Sequence, residues 1–239
     1  MVEPRDPRAR AASVIREERR RKAQEKRKRA LEEDARVARL FKSLARQVDA
    51  VVDAGVRRGT PWLYEVFPDA RFVLVDPQEG GETLLTAKPA DFVFVNKALG
   101  RAPGRMTINE QGAMSTFLER TSLTQVPTRN RREVEIVTLE AVIAEHLSDA
   151  RRIGLKIDTE GFELEVLAGL GEAAARIDFI VSEASVLNRF ENSYNFSELV
   201  AQLWKMDFRF YNFLNAAHLK APRFYDCLFF RKDDAAFGG

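Results

Sequence analysis

Two carboxylates separated by one residue, Asp158 and Glu160, are the side chains of this 239-residue chain best placed for acid–base chemistry. They follow the apolar run Ile153–Ile157 and precede a predicted helix, so they lie where a strand ends. One carboxylate there could deprotonate a hydroxyl group, whereas two could hold a divalent metal ion. Glu183 follows the next predicted strand and could bind an acceptor or join such a metal site.

A glycine-containing turn predicts a nucleoside-binding site. Asp53, Gly55 and Gly59 follow one predicted strand and open a helix, and Asp76 ends the next strand. A carboxylate at that second place can accept both hydroxyl groups of a ribose. Arg57 stands where the dinucleotide pattern Gly-x-Gly-x-x-Gly needs its second glycine. The sequence also contains no tyrosine followed four residues later by lysine, so a nicotinamide-dependent oxidoreductase is the weaker alternative.

An α/β sheet is needed to bring these carboxylates to one edge. Short β-branched runs predict strands over 49–54, 71–75, 91–95, 153–157 and 177–181, with helical patterns between most of them. The alternation predicts a mostly parallel sheet. Two final segments, 208–213 and 226–231, predict an antiparallel strand pair at one edge. Between the third and fourth predicted strands, 106–109 and 134–137 are expected to be extended.

The first 36 residues differ from the rest in charge. They hold thirteen basic and eight acidic residues, a net charge of +5, against 25 basic and 28 acidic residues in 37–239. We expect disorder over 1–12 and a helix from about Ser13, stabilised by i,i+4 ion pairs. This arm is expected to be solvated, with weak nucleic-acid or membrane-surface contact as the alternative. A stripe from Val37 to Val48 should dock on the domain formed by 37–239.

Composition excludes several classes of protein. No apolar run reaches the roughly 18 residues of a membrane-spanning helix, and no signal-peptide core follows the N-terminus. The single Cys227 excludes an internal disulfide bond, and the two histidines, His146 and His218, lie far apart in sequence. A reducing, cytoplasmic compartment is therefore expected.

The pattern Leu155-Lys-Ile-Asp-Thr-Glu-Gly-Phe-Glu163 closely resembles the hallmark of the FkbM family of S-adenosylmethionine-dependent methyltransferases. The resemblance extends in order over about residues 48–231 and leaves the arm outside. Further matching segments are 51–59, 67–68, 72–77, 96–100, 112–115, 137–139 and 226–229. Val56-Arg57 stands where the family usually has Ala-Asn. Because arginine adopts left-handed backbone less readily than asparagine, the cofactor turn is the main departure from the family.

The resemblance implies a class I methyltransferase fold, Rossmann-like, with S-adenosylmethionine across the strand ends. It implies catalytic roles for Asp158 and Glu160, with Mg or Mn at Asp158, Glu160 and Glu183 as an open alternative. The implied cofactor-binding residues are Asp53, Gly55, Arg57, Gly59, Thr60, Asp76, Pro77, Asn96, Lys97 and Ala98. The predicted substrate-binding residues are Ser115, Glu183 and His218, the last from its place in the loop between the final strands.

The family generally methylates hydroxyl oxygens, often on sugars. The resemblance therefore implies an O-methyltransferase that acts on a glycan or another polyhydroxylated acceptor. Two alternatives stay open at this point: the nicotinamide-dependent oxidoreductase, and a non-enzymatic methyltransferase-like scaffold that acts through its basic arm. Intact Asp76 and Asp158 argue against the scaffold, whereas Arg57 leaves it open.

Overall fold

A computed structural model describes residues 7–215 and 223–238 of the chain. The strands in this part are β1 (Ala50–Ala54), β2 (Arg71–Val75), β3 (Phe92–Val95), β4 (Ala98–Leu99), β5 (Gly104–Glu110), β6 (Asn130–Val137), β7 (Ile153–Ile157), β8 (Ile177–Ser185), β9 (Phe208–Phe213) and β10 (Phe224–Arg231). The α-helices are α1 (Pro7–Ser43), α2 (Pro61–Val66), α3 (Gly81–Leu84), α4 (Leu139–His146), α5 (Glu163–Ala168) and α6 (Phe196–Lys205). Every strand predicted for the main sheet is present.

Seven strands form one sheet in the order β3-β2-β1-β7-β8-β10-β9. The first five of these are parallel, and β10 runs antiparallel to both β8 and β9. Ala54 at the end of β1 is in register with Val75 of β2 and Ile157 of β7, so the residues after these strands meet at one edge. The predicted Rossmann-like sheet with an antiparallel C-terminal strand pair is confirmed.

The two faces of the sheet bury different helices, as strand alternation requires. Val52 packs with Leu155 in a core under α4, α5 and α6. Val51 and Leu74 pack on the other face, under α1 and α2. Asp53 falls on this second face, two residues after Val51. Covering both faces explains why the central strands are almost wholly apolar.

The helix α1 begins at Pro7, so the expected disorder over 7–12 and the start near Ser13 are wrong. Proline fits the first turn of a helix because its missing N–H group has no partner there. The stripe docks as predicted: Phe41 is fully buried, and its ring lies 5.1 Å from that of Trp62 and 5.2 Å from that of Phe179. No helix in the described residues combines the length and apolarity of a membrane span.

A smaller sheet, not predicted as such, is inserted between β3 and α4. It consists of β4, β6 and β5 in that order, with β5 and β6 antiparallel. The segments expected to be extended, 106–109 and 134–137, lie in β5 and β6. The chain between these two strands, which contains Ser115 and Arg120, is held against the edge of the main sheet by a hydrogen bond from Thr116 Oγ1 to the Glu160 carbonyl (2.8 Å).

Candidate functional site

A cavity of about 910 Å³ opens at the carboxyl ends of the parallel strands. This is the edge at which open α/β sheets bind their ligands. Twelve of the fifteen predicted site residues line it: Gly55, Arg57, Gly59, Thr60, Asp76, Pro77, Lys97, Ala98, Ser115, Asp158, Glu160 and Glu183. Asp53 and Asn96 do not line it, and His218 lies outside the described residues. The assigned roles of all fifteen stay predictions.

The turn after β1 is tightly packed against the loop after β7. Gly55 has a φ of +80°, and a Cβ atom there would lie 1.9 Å from the carbonyl oxygen of Asp158. Gly55 is thus required by a backbone contact and not only by a ligand. Arg57 takes a left-handed φ of 48° despite its side chain. A non-glycine residue in that region is strained, and such strain concentrates at functional sites.

Asp76 is held by backbone N–H groups on both carboxylate oxygens. Its Oδ2 accepts from Arg57 N at 2.7 Å, and its Oδ1 accepts from Gln78 N at 2.8 Å. Burial raises the pKa of Asp76 above its ordinary value, against the lowering effect of these two bonds. Each oxygen keeps a second lone pair, so the carboxylate can still accept hydrogen bonds from a ribose diol in the cavity.

Asp53 and Asn96 do not line the cavity but hold neighbouring segments in place. Asp53 is fully buried; its Oδ2 accepts from the Tyr64 hydroxyl at 3.0 Å, while its Oδ1 has no hydrogen-bond partner among the described residues. Asn96 Nδ2 donates to the carbonyl oxygens of Asp76 and Gln78, at 2.8 and 2.7 Å. These contacts fix the chain around Asp76.

Lys156 places a buried positive charge beside the carboxylates of the site. Its Nζ lies 3.5 Å from Asp53 Oδ1 and 3.5 Å from Asp158 Oδ2. Burial lowers the pKa of this ammonium group, but the carboxylates around it outweigh burial and raise the pKa above its ordinary value. Lys156 is therefore cationic at neutral pH. Burial also raises the pKa of Asp226, on β10 and in the same cavity, to about 7.

Glu160 is held by two arginines on one of its oxygens. Its Oε2 accepts from Arg120 Nη2 at 3.2 Å and lies 3.6 Å from Arg189 Nη1. Its Oε1 has no hydrogen-bond partner among the described residues, and the side chain, 17% exposed, lines the cavity. The backbone at Glu160 has a φ of 54°, which is again strained for a non-glycine residue. Burial and the neighbouring Asp158 carboxylate raise the pKa of Glu160 to about 7.

Arg189, which lies beside Glu160, also forms a buried ion pair with Glu183. Arg189 Nη2 donates to Glu183 Oε2, and Arg189 Nε donates to Ser185 Oγ at 3.0 Å. Both partners are almost fully buried, and burial raises the pKa of Glu183 well above its ordinary value. Glu183 Oε2 thus accepts a hydrogen bond from Arg189. The predicted contact of Glu183 with an acceptor must therefore use the remaining lone pairs of its carboxylate.

Glu163 organises the loop that carries Asp158 and Glu160. Its Oε1 accepts from the backbone N–H groups of Thr159 and Gly161, at 2.9 and 3.2 Å. Its Oε2 accepts from the Tyr194 hydroxyl at 2.6 Å. This fully buried carboxylate therefore fixes the strained turn from within.

The carboxylates do not form a metal site in the described part of the chain. No group of three or more His, Cys, Asp or Glu side chains in residues 7–215 and 223–238 is arranged to hold a metal ion. Glu160 and Glu183 direct oxygens toward arginines, whose positive charge competes with that of a metal ion. The proposed Mg or Mn site at Asp158, Glu160 and Glu183 does not fit this donor set.

Sequence reasoning missed the cationic half of the site. Lys156 had a signal, because it is two residues before Asp158 and so points to the same side of β7. Glu163 also had one, as part of the hallmark pattern. Asp226 had a weaker signal, as the first residue of the matching segment 226–229. Arg120 and Arg189 had none, because they reach the cavity from loops that no local pattern specifies.

The donor set fits S-adenosylmethionine by its chemistry. Asp76 offers acceptors for the ribose hydroxyl groups, and Arg57 and Arg58 place guanidinium groups on the cavity wall for a carboxylate. Asp158 offers a negative charge for the cationic part of the molecule. The nicotinamide alternative has no comparable support, since its glycine pattern is missing.

A search of curated proteins found no match. Among solved structures, the chain is similar to magnesium protoporphyrin IX methyltransferase from Synechocystis PCC 6803 with bound SAM (10% identity, 83% of this chain and 77% of that chain, TM-score 0.46). It is also similar to 1,6-didemethyltoxoflavin-N1-methyltransferase from Burkholderia thailandensis with bound S-adenosylhomocysteine (16% identity, 98% and 94%, TM-score 0.43).

The sequence profile of the methyltransferase FkbM domain matches residues 44–210, which is more than half of the chain. This match confirms the resemblance found in the motifs, and with it the class of S-adenosylmethionine-dependent methyltransferases. The match also argues against the alternative of a nicotinamide-dependent oxidoreductase. The chain belongs to the FkbM methyltransferase family.

Proposed function

We infer that this protein transfers a methyl group from S-adenosylmethionine to a hydroxyl oxygen of a glycan or another polyhydroxylated acceptor. The observation that carries the inference is the combination of hydrogen bonds, exposure and raised pKa at Glu160. Two arginines hold its Oε2, its side chain lines the cavity and is 17% exposed, and its pKa is raised to about 7. A general base is most effective when its pKa lies near the working pH.

A hydroxyl acceptor needs such a base, because an alcohol is a poor nucleophile at neutral pH. When bound, S-adenosylmethionine supplies an activated methyl group on a sulfonium centre. In our proposal Glu160 Oε1 takes the proton of the acceptor hydroxyl as its oxygen is methylated. Arg120 and Arg189 fix the carboxylate in place, and Lys156 fixes Asp158. Alignment of the acceptor by such fixed groups can supply a large part of the acceleration.

The polarity of the cavity supports a polyhydroxylated acceptor. Beside Glu160, its wall carries the hydroxyl groups of Ser115 and Thr124 and the amide of Gln125. Ser115 Oγ and Thr124 Oγ1 already donate to the carbonyl oxygens of Gly112 and Arg189, at 2.9 and 2.6 Å, so toward a ligand hydroxyl they can only accept a hydrogen bond. The exposed Gln125 amide can both donate and accept. The cytoplasm, where Cys227 stays reduced, remains the proposed compartment.

The test is methyl transfer by wild-type protein and by Glu160→Gln, with Glu191→Gln as the matched control on an exposed carboxylate. The acceptors are glycans isolated from cells that lack the gene, and mass spectrometry locates the added methyl groups. We expect turnover to fall about 10²–10⁴-fold in Glu160→Gln and to stay unchanged in Glu191→Gln.

A second variant, Asp158→Asn, tests the division of roles. We expect it to weaken S-adenosylhomocysteine binding more than Glu160→Gln does, because Asp158 offers its charge to the cofactor. Full activity in both variants would remove these residues from the mechanism. Methylation found only on nitrogen or carbon would contradict the proposed acceptor class, and binding without any methyl transfer would favour the scaffold that acts through its basic arm.

A further inference from the structure

One face of α1 carries arginines that have no acidic partner among the described residues. Arg16, Arg20 and Arg27, here called the basic stripe, belong to the series 16, 20, 23, 27, 30, 34, 37 and 41. Alternating steps of four and three residues keep this series on one face of a helix. The series ends in Val37 and Phe41, which are buried against the sheet. The basic stripe therefore lies on the same side of α1 as the catalytic domain.

The opposite face of α1 carries ion pairs and one arginine, Arg21, that has no acidic partner among the described residues. Glu18, Glu25 and Glu32 are seven residues apart, and each forms an ion pair along the helix. Their partners are Lys22, Arg29 and Lys28, at 2.7, 2.8 and 3.8 Å. Three arginines without an acidic partner among the described residues thus share the side that faces the domain, whereas most charges of the opposite side are paired.

The face that carries the basic stripe leads into the cavity. Asp34, a member of the same series, lines the cavity, and so does Lys26 beside Arg27. Burial raises the pKa of Asp34 above its ordinary value, as expected for a side chain at the cavity wall. From Arg27 to Arg16 the helix rises about 16 Å. A chain-like ligand seated in the cavity can therefore continue along the basic stripe.

The chemistry of the basic stripe points to a polyanion that is also a polyol. On this face Ala23 lies between the arginines and Ala30 follows the last of them, so the stripe lacks the bulky apolar side chains of an interfacial membrane helix. Residues 7–40 contain no aromatic side chain, which single-stranded nucleic acids need for base stacking. An acidic glycan fits both the arginines and a cavity suited to hydroxyl groups.

We propose that the basic stripe of α1 binds the anionic groups of an extended acidic glycan while one of its hydroxyl groups occupies the cavity. This proposal rests on the proposed function, because it names the class of acceptor for the same site. The helix then acts as a specificity element that selects acidic over neutral chains.

The test uses the full chain and a polygalacturonate oligosaccharide as the probe. The variant Arg16→Gln/Arg20→Gln/Arg27→Gln removes the basic stripe, and Lys22→Gln/Lys28→Gln/Arg29→Gln removes the same charge from the opposite face of α1. Glutamine is a good helix former, so both variants keep the helix. We expect affinity to fall at least about tenfold in the first variant and less than about twofold in the second, because only the first removes cations from the face that leads into the cavity.

Chemical labelling of lysines places the ligand. We expect bound oligosaccharide to protect Lys26, at the cavity, and to leave Lys22 reactive. Equal loss of affinity in the two variants would overturn the proposal, as would equal binding of a neutral maltodextrin. Tighter binding of single-stranded DNA, or binding only to vesicles that contain phosphatidylserine, would also overturn it. Methyl transfer and S-adenosylhomocysteine binding are measured in parallel on the wild-type protein. Absence of either would contradict the proposed function, whereas the comparison of the two variants tests only the basic stripe.

Discussion

The cavity has two walls that are built by different interactions. The cofactor wall, 55–60 and 76–78, is held by backbone N–H groups, as in the two bonds to Asp76. The acceptor wall, formed around Glu160, Glu183, Arg189 and Asp226, is held by buried ion pairs. Burial raises the pKa of three of its carboxyl groups, Glu160 and Asp226 to about 7 and Glu183 well above its ordinary value, against one such carboxyl group, Asp76, in the cofactor wall. Stability and pH dependence should therefore be concentrated in the acceptor wall.

The largest effect is expected where a buried pair of the acceptor wall is broken. Arg189→Met leaves Glu183 without its guanidinium partner, and removing one member of a buried pair costs about 3–5 kcal/mol. We expect the free energy of unfolding, measured by urea titration, to fall by that amount at pH 7. The matched control is Arg101→Met, which breaks an exposed pair with Glu165 and should leave stability unchanged.

A double variant separates charge from packing. Arg189→Met with Glu183→Gln removes both charges, so part of the lost stability should return. If the double variant is as unstable as the single one, the stacking of Arg189 over Phe224, at 4.8 Å, and not its charge, holds the acceptor wall.

The acceptor wall should also make stability depend on pH. The pKa of Asp226 is about 7 in the folded protein and about 3.8 when the chain is unfolded. Between these values the folded state binds the extra proton, so the free energy of unfolding falls as pH rises from about 4 to 7. The full slope of one such group is about 1.4 kcal/mol per pH unit. We expect Asp226→Asn, which cannot ionise, to remove the share of this one group and to leave the share of Glu160, whose pKa is also about 7.

Urea titrations at pH 5, 6, 7 and 8 measure the effect. Asp69→Asn, on an exposed loop, is the control and should leave the slope of the wild type unchanged. Equal slopes in Asp226→Asn and the wild type would mean that Lys156 keeps Asp226 ionised throughout. The two walls would then differ in geometry but not in their effect on the pH dependence of stability.

The cofactor wall was predictable from sequence because its residues follow β1 and β2 directly. A glycine-containing turn and a terminal aspartate have fixed places once those strands are found, and the register of the sheet brings them together. The acceptor wall was only half predictable. Asp158 and Glu160 follow β7, but Arg120 and Arg189 come from insertions whose path no local pattern specifies. The strained backbone at Glu160 depends on Glu163 and Tyr194, which are 31 residues apart.

A change in the cofactor wall should affect binding more than stability. Asp76→Ala removes the acceptor for the ribose diol, and each charge-assisted hydrogen bond contributes about 1.5–3 kcal/mol. We expect the dissociation constant of S-adenosylhomocysteine, measured by calorimetry, to rise at least about tenfold. Glu79→Ala, an exposed carboxylate three residues later, should leave it unchanged. An unaltered constant in Asp76→Ala would refute the assignment of Asp76.

The smallest effect on stability is expected outside both walls. Deletion of residues 1–30 removes the solvated part of α1 and keeps Val37 and Phe41, whose burial attaches the helix to the sheet. Because the removed part contributes no buried apolar contact in the described residues, we expect the melting temperature to stay within about 4 °C. The dissociation constant of S-adenosylhomocysteine should not change, whereas binding of polygalacturonate should be lost. A fall of about 10 °C or more would instead make the arm a structural element, such as a clasp between subunits.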